Sequence, residues 1–176
     1  IHTCDYNQTK NATIAAAKHE GPVYLRFGRP AVPNFTPADK EFIIGKADIL
    51  NEGNDVTIIA NGHLIWPAIE AGHKLAELGI DVEIINMATI KPLDKEAVLK
   101  SVKKTGAVVV AEEHQIAGGL GESIAGLLAL ELPTPMQFVA VNDTFGESGS
   151  PAQLMEKYGL TDDKIVEAVQ KVIKRK

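Results

Sequence analysis

The stretch Ala107–Leu128, AVVVAEEHQIAGGLGESIAGLL, decides the fold. Val108, Val109 and Val110 are a continuous β-branched run, the composition of a strand covered on both faces, as in a parallel sheet packed by helices. The strand is expected to end at Ala111, where charge begins. Glu112, Glu113 and His114 then fall at its carboxyl end, where open α/β sheets place ligand or partner crevices. Gly118, Gly119 and Gly121 allow a tight turn into a helix whose apolar positions Leu120, Ile124, Leu127 and Leu128 recur at helical spacing.

Glycines before a helix invite a phosphate-binding reading, because the free N–H groups of a helix start attract anions. A dinucleotide fingerprint would need a third small residue three places after Gly121. Ile124 stands there, and the turn follows a late strand, so a structural strand-to-helix turn is the better reading. Charged residues at a strand end are usually solvated or paired with a neighbouring domain. Glu112, Glu113 and His114 are therefore candidates for interdomain or cleft contacts rather than catalysis.

With 176 residues the chain can bury about two thirds of the surface its unfolded form exposes, enough for one α/β domain and something more. The net charge of −5 comes with no Lys/Arg stripe, which argues against nucleic acid. No apolar run approaches a membrane span. Cys4 is the only cysteine. It excludes an internal disulfide, fits a reducing, cytoplasmic setting and reads as a small, partly buried side chain. The start, Ile-His-Thr-Cys-Asp, has no initiator Met and no targeting pattern, and is expected to be cut from something longer.

Outward from the deciding stretch, strand and helix patterns alternate. Strands are expected at Val56–Ala60, Val82–Ile85 and Phe138–Val141, with helices from Pro67 to Leu78, Lys95 to Lys104 and Leu120 to Leu130. Gly79 and Gly106 suit positions past helix ends, and Asp94 an N-cap. This alternation is the signature of a parallel sheet with right-handed crossovers. The fold class is α/β, a doubly wound, mostly parallel sheet. A turn-rich loop, Asn142–Gly149, should lie at the same sheet edge as His114. Ser150 and Gln153 cap a short helix, and Thr161 opens the last one.

The amino-terminal side has another character. Asp5 can cap a helix running to Lys18, with Gln8 completing a capping box. A short strand follows at Val23–Phe27, closed by Gly28-Arg29-Pro30. One helix and one strand bury too little to stand alone, so residues 1–33 read as the tail of another α/β domain. Residues 34–54 read as a proline-rich linker and two short edge strands, Phe42–Ile44 and Ala47–Leu50, pairing with each other. Residues 55–176 are then the complete domain.

Taken together, Asp5-Tyr6-Asn7, LRFGRP (Leu25–Pro30), Gly62-His63, AEEH (Ala111–His114), GGLG (Gly118–Gly121), DTFGESG (Asp143–Gly149) and YGL (Tyr158–Leu160) resemble the C-terminal part of a transketolase, and the resemblance covers essentially the whole chain. It implies a thiamine diphosphate-dependent homodimer, with a divalent metal (Mg or Ca), that transfers a two-carbon ketol unit between sugar phosphates. In that family residues 1–33 correspond to the end of the pyrimidine-binding domain and residues 55–176 to the C-terminal domain. The resemblance places the catalytic, cofactor-binding and metal-binding residues outside this stretch, in a missing N-terminal part or subunit, so the stretch alone is expected to be inactive and to hold no cofactor.

Within the stretch the resemblance leaves one site residue, Arg29, matching the family arginine that binds the substrate phosphate. A guanidinium can fork onto phosphate oxygens and stays charged at any relevant pH. Arg26 is its rival. With two residues between them on a strand, Arg26 and Arg29 would point to opposite faces, so only one should reach the substrate, and an interdomain ion pair is the alternative for either. Other readings stay open: deoxyxylulose phosphate synthase, the β subunit of a 2-oxo acid dehydrogenase, or a non-catalytic interaction module.

Overall fold

The computed structural model describes residues 1–176. Its centre is a five-stranded sheet of β1 (Asp48–Asn51), β2 (Val56–Ala60), β3 (Val82–Asn86), β4 (Val108–Gln115) and β5 (Met136–Val141), in the order β1-β3-β2-β4-β5. Strands β3, β2, β4 and β5 are mutually parallel, and β1 lies antiparallel on the outside of β3. Among the parallel strands, chain order runs outward from β2 in both directions. The topological switch point therefore falls between β2 and β4.

Residue alternation within the central strands builds two cores. Val56, Ile58, Ala60, Val82, Ile84, Val109 and Ala111 face one side, where they pack with Ala68, Ala71 and Leu75 of α2 (Ile65–Glu77) and Ile165, Val169 and Val172 of α6 (Asp162–Ile173). Ile59, Ile85, Val108 and Val110 face the other, against Val98 and Val102 of α3 (Lys95–Thr105) and Ile124 and Leu128 of α4 (Leu120–Glu131). Helices on both faces make the sheet doubly wound, as its valine-rich strands require. Thr57 lies on the α3 side and stays buried because Ser101 and Thr105 meet its hydroxyl at 2.7 Å each.

The helix signals act as expected. Asp94 accepts from Ala97 N at 3.2 Å, Gly106 closes α3 in the left-handed region at φ 71°, and Ser150 with Gln153 forms a capping box for α5 (Pro151–Lys157). In α1 (Tyr6–Lys18) Asp5 caps Gln8 N at 2.9 Å. The Gln8 side chain reaches back to Cys4 N rather than to the cap residue itself, one place earlier than a capping box requires.

Three sequence expectations are corrected. Residues 23–27 form no strand; a single parallel bridge between His2 and Arg26 is all the pairing they have, because no neighbouring strand flanks them. Residues 42–44 form none either, and Asp48–Asn51 pairs with β3, where Ile85 and Asn86 offer an open edge. Strand β4 does not stop at Ala111 but continues to Gln115, with a register shift against β5 between Ala111 and Gln115. Its acidic residues stay in the strand because each finds partners of its own.

Candidate functional site

Register brings the site together. Ala60 of β2 pairs with Ala111 of β4, so the residues just beyond them, Asn61-Gly62-His63 and Glu112-Glu113-His114, share one end of the switch point. Into that end the chain inserts its own first residues. His2 N donates to Ala88 O at 2.7 Å beyond β3, and Cys4 Sγ takes a hydrogen bond from Asn86 Nδ2 at 3.3 Å. His2, Thr3, Cys4 and Asp5 are all buried. Asp5 extends the tie, accepting from Phe35 N at 2.9 Å, Thr36 N at 2.7 Å and Thr36 Oγ1 at 2.6 Å. The crevice that open α/β sheets reserve for ligands is here an internal junction.

Glu113 lies at its centre, with its side chain 14% exposed. Its carboxylate is 3.0 Å from His63 Nδ1, 3.1 Å from His2 Nε2 and 3.5 Å from the Arg26 guanidinium. Burial works against its ionisation, but contacts from His2 and His63 outweigh burial and hold the carboxyl well below the usual glutamate range. His2 goes the other way. Burial pushes the imidazole below the ordinary histidine value, Glu113 opposing and the nearby His114 and Arg26 adding to the shift. The fit is tight: a Cβ at Gly62 would collide with the His2 ring, and one at Gly28 with the His63 ring.

Glu112 has a different task. It is 2% exposed, and its two oxygens accept from Leu120 N and Gly121 N at 2.8 Å each, at the start of α4. Burial raises its pKa, while His114 and those two N–H groups lower it by more. The glycine turn is thus a structural one. The anion at this helix start is the protein's own carboxylate, with Gly119 passing so close that a Cβ would strike it.

A diphosphate does not fit there, since its place is taken by a like charge, and no group of three or more His, Cys, Asp or Glu could hold a metal ion. Cys4 is buried, and burial first, then Asp5, pushes its thiol up to about 12, which disfavours the thiolate.

The two arginines part company. Arg26 faces Glu113, whereas Arg29 is exposed and makes no ion pair or side-chain hydrogen bond. Arg26, Glu112, Glu113 and His114 come together at the junction, His114 Nδ1 being 3.5 Å from Glu112 and its ring 5.1 Å from that of His2. The turn-rich loop meets the same edge through Gln115 Nε2, which donates to Thr144 O at 2.8 Å. His2 and His63 were not singled out as site residues from sequence. His63 could have been, since it lies three places past β2 as Glu113 lies two past Ala111 of β4; His2 gave no signal, because nothing local says that residues 1–5 fold back over the sheet.

Fold and junction define a doubly wound α/β domain that docks a further segment on the carboxyl edge of its sheet. The family described as "Transketolase, C-terminal domain" matches residues 45–165. This chain belongs to the transketolase family. It is 44% identical over 176 residues to a 6-deoxy-6-sulfo-D-fructose transketolase subunit of Clostridium sp. (strain MSTE9), covering 97% of this chain and 55% of that protein. It is 35% identical over 171 residues to a 1-deoxy-D-xylulose-5-phosphate synthase of Desulforudis audaxviator (strain MP104C), covering 94% of this chain and 27% of that protein. A solved structure described as "Split gene transketolase, inactive beta4 tetramer" superposes with a TM-score of 0.95 at 46% identity, covering 98% of this chain and 56% of that one. The chain thus spans about half the length of the transketolase proteins it matches. No helix is long and apolar enough to cross a membrane.

Proposed function

We propose that these 176 residues are the C-terminal portion of an enzyme that transfers a two-carbon ketol unit between sugar phosphates, completed by a thiamine-binding portion or subunit carrying thiamine diphosphate, its divalent metal and the catalytic groups. Residues 1–33 are then the end of the pyrimidine-binding domain, 34–54 a linker, and 55–176 the C-terminal domain. The complete enzyme is a cytoplasmic homodimer, and this portion alone is inactive. Thiamine diphosphate supplies the carbanion-stabilising chemistry when bound. This chain contributes the phosphate grip.

The observation that carries the reading is the contrast between the two arginines. Arg26 is spent on Glu113, while Arg29, three residues on, keeps all its donors free at the surface. A free guanidinium at the end of an anchored segment is suited to fork onto the terminal phosphate of a sugar, remote from the reacting carbonyl. Such a grip helps ground state and transition state alike, so it should appear in KM rather than kcat.

The test is reconstitution. This chain, mixed with its N-terminal portion, thiamine diphosphate and Mg, is expected to give ketol transfer between sugar phosphates that neither portion gives by itself. Transfer by the 176 residues alone would overturn the division of labour, and binding of a carrier protein without turnover would replace it with an interaction module.

A further inference from the structure

Arg29 can grip a phosphate only if the segment that carries it is held in place, and residues 23–27 have no sheet to hold them. Their backbone ties are few, and all are to residues 1–3: Tyr24 O accepts from Ile1 N at 2.9 Å, Arg26 N donates to Ile1 O at 2.8 Å, and Arg26 O accepts from Thr3 N at 3.2 Å. Side chains do the rest, and they converge on one carboxylate. Glu113 holds the Arg26 guanidinium at 3.5 Å and His63 Nδ1 at 3.0 Å, and the His63 ring lies directly over Gly28, leaving no room for a Cβ. Glu113 also meets His2, the bridge partner of Arg26. One buried oxygen pair thus restrains residues 26 and 28 from two sides, immediately before residue 29.

We propose that Glu113 is the positioning residue for Arg29, and so sets the preference of the assembled enzyme for phosphorylated substrates without touching them. This rests on reading Arg29 as the phosphate ligand. With Glu113 ionised, Arg26 is kept occupied and Arg29 is presented alone. With the charge gone, Arg26 is released, the His63 ring loses the acceptor that orients it over Gly28, and the segment before Arg29 gains freedom that phosphate binding must then remove.

The experiment uses Glu113→Gln, which keeps the shape and removes the charge. In the reconstituted enzyme it is expected to raise KM for a phosphorylated donor by about three- to tenfold with kcat and the KM of an unphosphorylated donor unchanged, and the double variant with Arg29→Ala should be no worse than Arg29→Ala alone. Equal loss on both donors, or additive effects, would overturn the proposal in favour of plain junction stability. A separate readout does not depend on what Arg29 binds. Hydrogen exchange in the 176-residue Glu113→Gln chain should quicken at the Thr3 and Arg26 amides, whose bonds to Arg26 O and Ile1 O hold the segment, and stay unchanged at Val108–Val110; unaltered exchange at both overturns the positioning role. If those amides loosen but Arg29→Ala shows no phosphate-selective loss, the phosphate reading is the part that fails, and the specificity role fails with it. Should Glu113→Gln not fold, His63→Ala removes one arm of the clamp and carries the same expectations.

Discussion

At the scale of single residues the junction couples charge to protonation, and the signs can be worked out. His2 is buried with its pKa lowered, so the folded state favours the neutral ring; its share of stability is complete above the ordinary value of 6.5 and is lost as pH falls below it. Glu113 is held below the ordinary 4.5, so its share is complete above that value and is lost in more acid solution. The shares of these two groups are therefore level above about pH 7, and the melting temperature is expected to fall as pH drops through 6.5 and to fall further below 4.5. His2→Gln, which cannot take up a proton, should remove the first decline and leave the second; a scan of melting temperature against pH for both proteins checks this. Arg29→Ala in the assembled enzyme is expected to raise KM for phosphorylated sugars, with a loss of about 1.5–3 kcal/mol, or roughly ten- to a hundredfold in kcat/KM. An arginine that only joined domains would impair phosphorylated and unphosphorylated substrates alike and lower the melting temperature as well.

At the scale of elements, Glu112 is to α4 what a capping residue is to other helices, but supplied by a strand eight residues upstream. Glu112→Ala would leave the Leu120 and Gly121 N–H groups buried without partners and open a gap beside Gly119. The expected cost is about 3 kcal/mol, measurable by denaturant unfolding, with α4 rather than α2 losing exchange protection. This cap also shows what was legible beforehand. The β-branched run at Val108–Val110 and the alternation of strand and helix gave the parallel core, because buried strands and amphipathic helices carry their burial in their own composition. The extension of β4 through Glu112 and Glu113 was not legible, since charge in a strand is tolerable only when partners such as Leu120 N, His2 and His63 arrive from elsewhere in the chain. For the same reason Val23–Phe27 misled: its residues favour a strand, but a strand exists only where another lies beside it. Arg26 and Arg29 could be told apart as facing opposite ways, yet only the arrival of Glu113 opposite Arg26 shows which one is committed.

At the scale of the whole molecule, burial is divided unevenly along the chain. Every residue of β2 and β3 is buried, whereas α1 buries only Gln8 and Ala12 of its thirteen residues. Within residues 1–33 Tyr6, Ile14, Tyr24 and Phe27 are exposed by 70%, 46%, 79% and 60%, a concentration of large apolar side chains at the surface of the segment with the least core. Under the proposed division, such a surface is the one that the rest of the pyrimidine-binding domain would cover. Local opening should follow this gradient. In the 176-residue chain the amides of α1 are expected to exchange through low-energy local unfolding, while Val108–Val110 exchange only with global unfolding. Residues 2–5 should resemble the core more than α1 does, because Cys4 packs with the α2 and α6 side of the sheet. Addition of the thiamine-binding portion should then raise protection in α1 and at residues 23–27 and leave β4 where it was, since only the first group gains a covering surface. If α1 were as protected as Val108–Val110 before any partner is added, residues 1–33 would belong energetically to the same unit as the sheet, and the division at the linker would have to be drawn elsewhere.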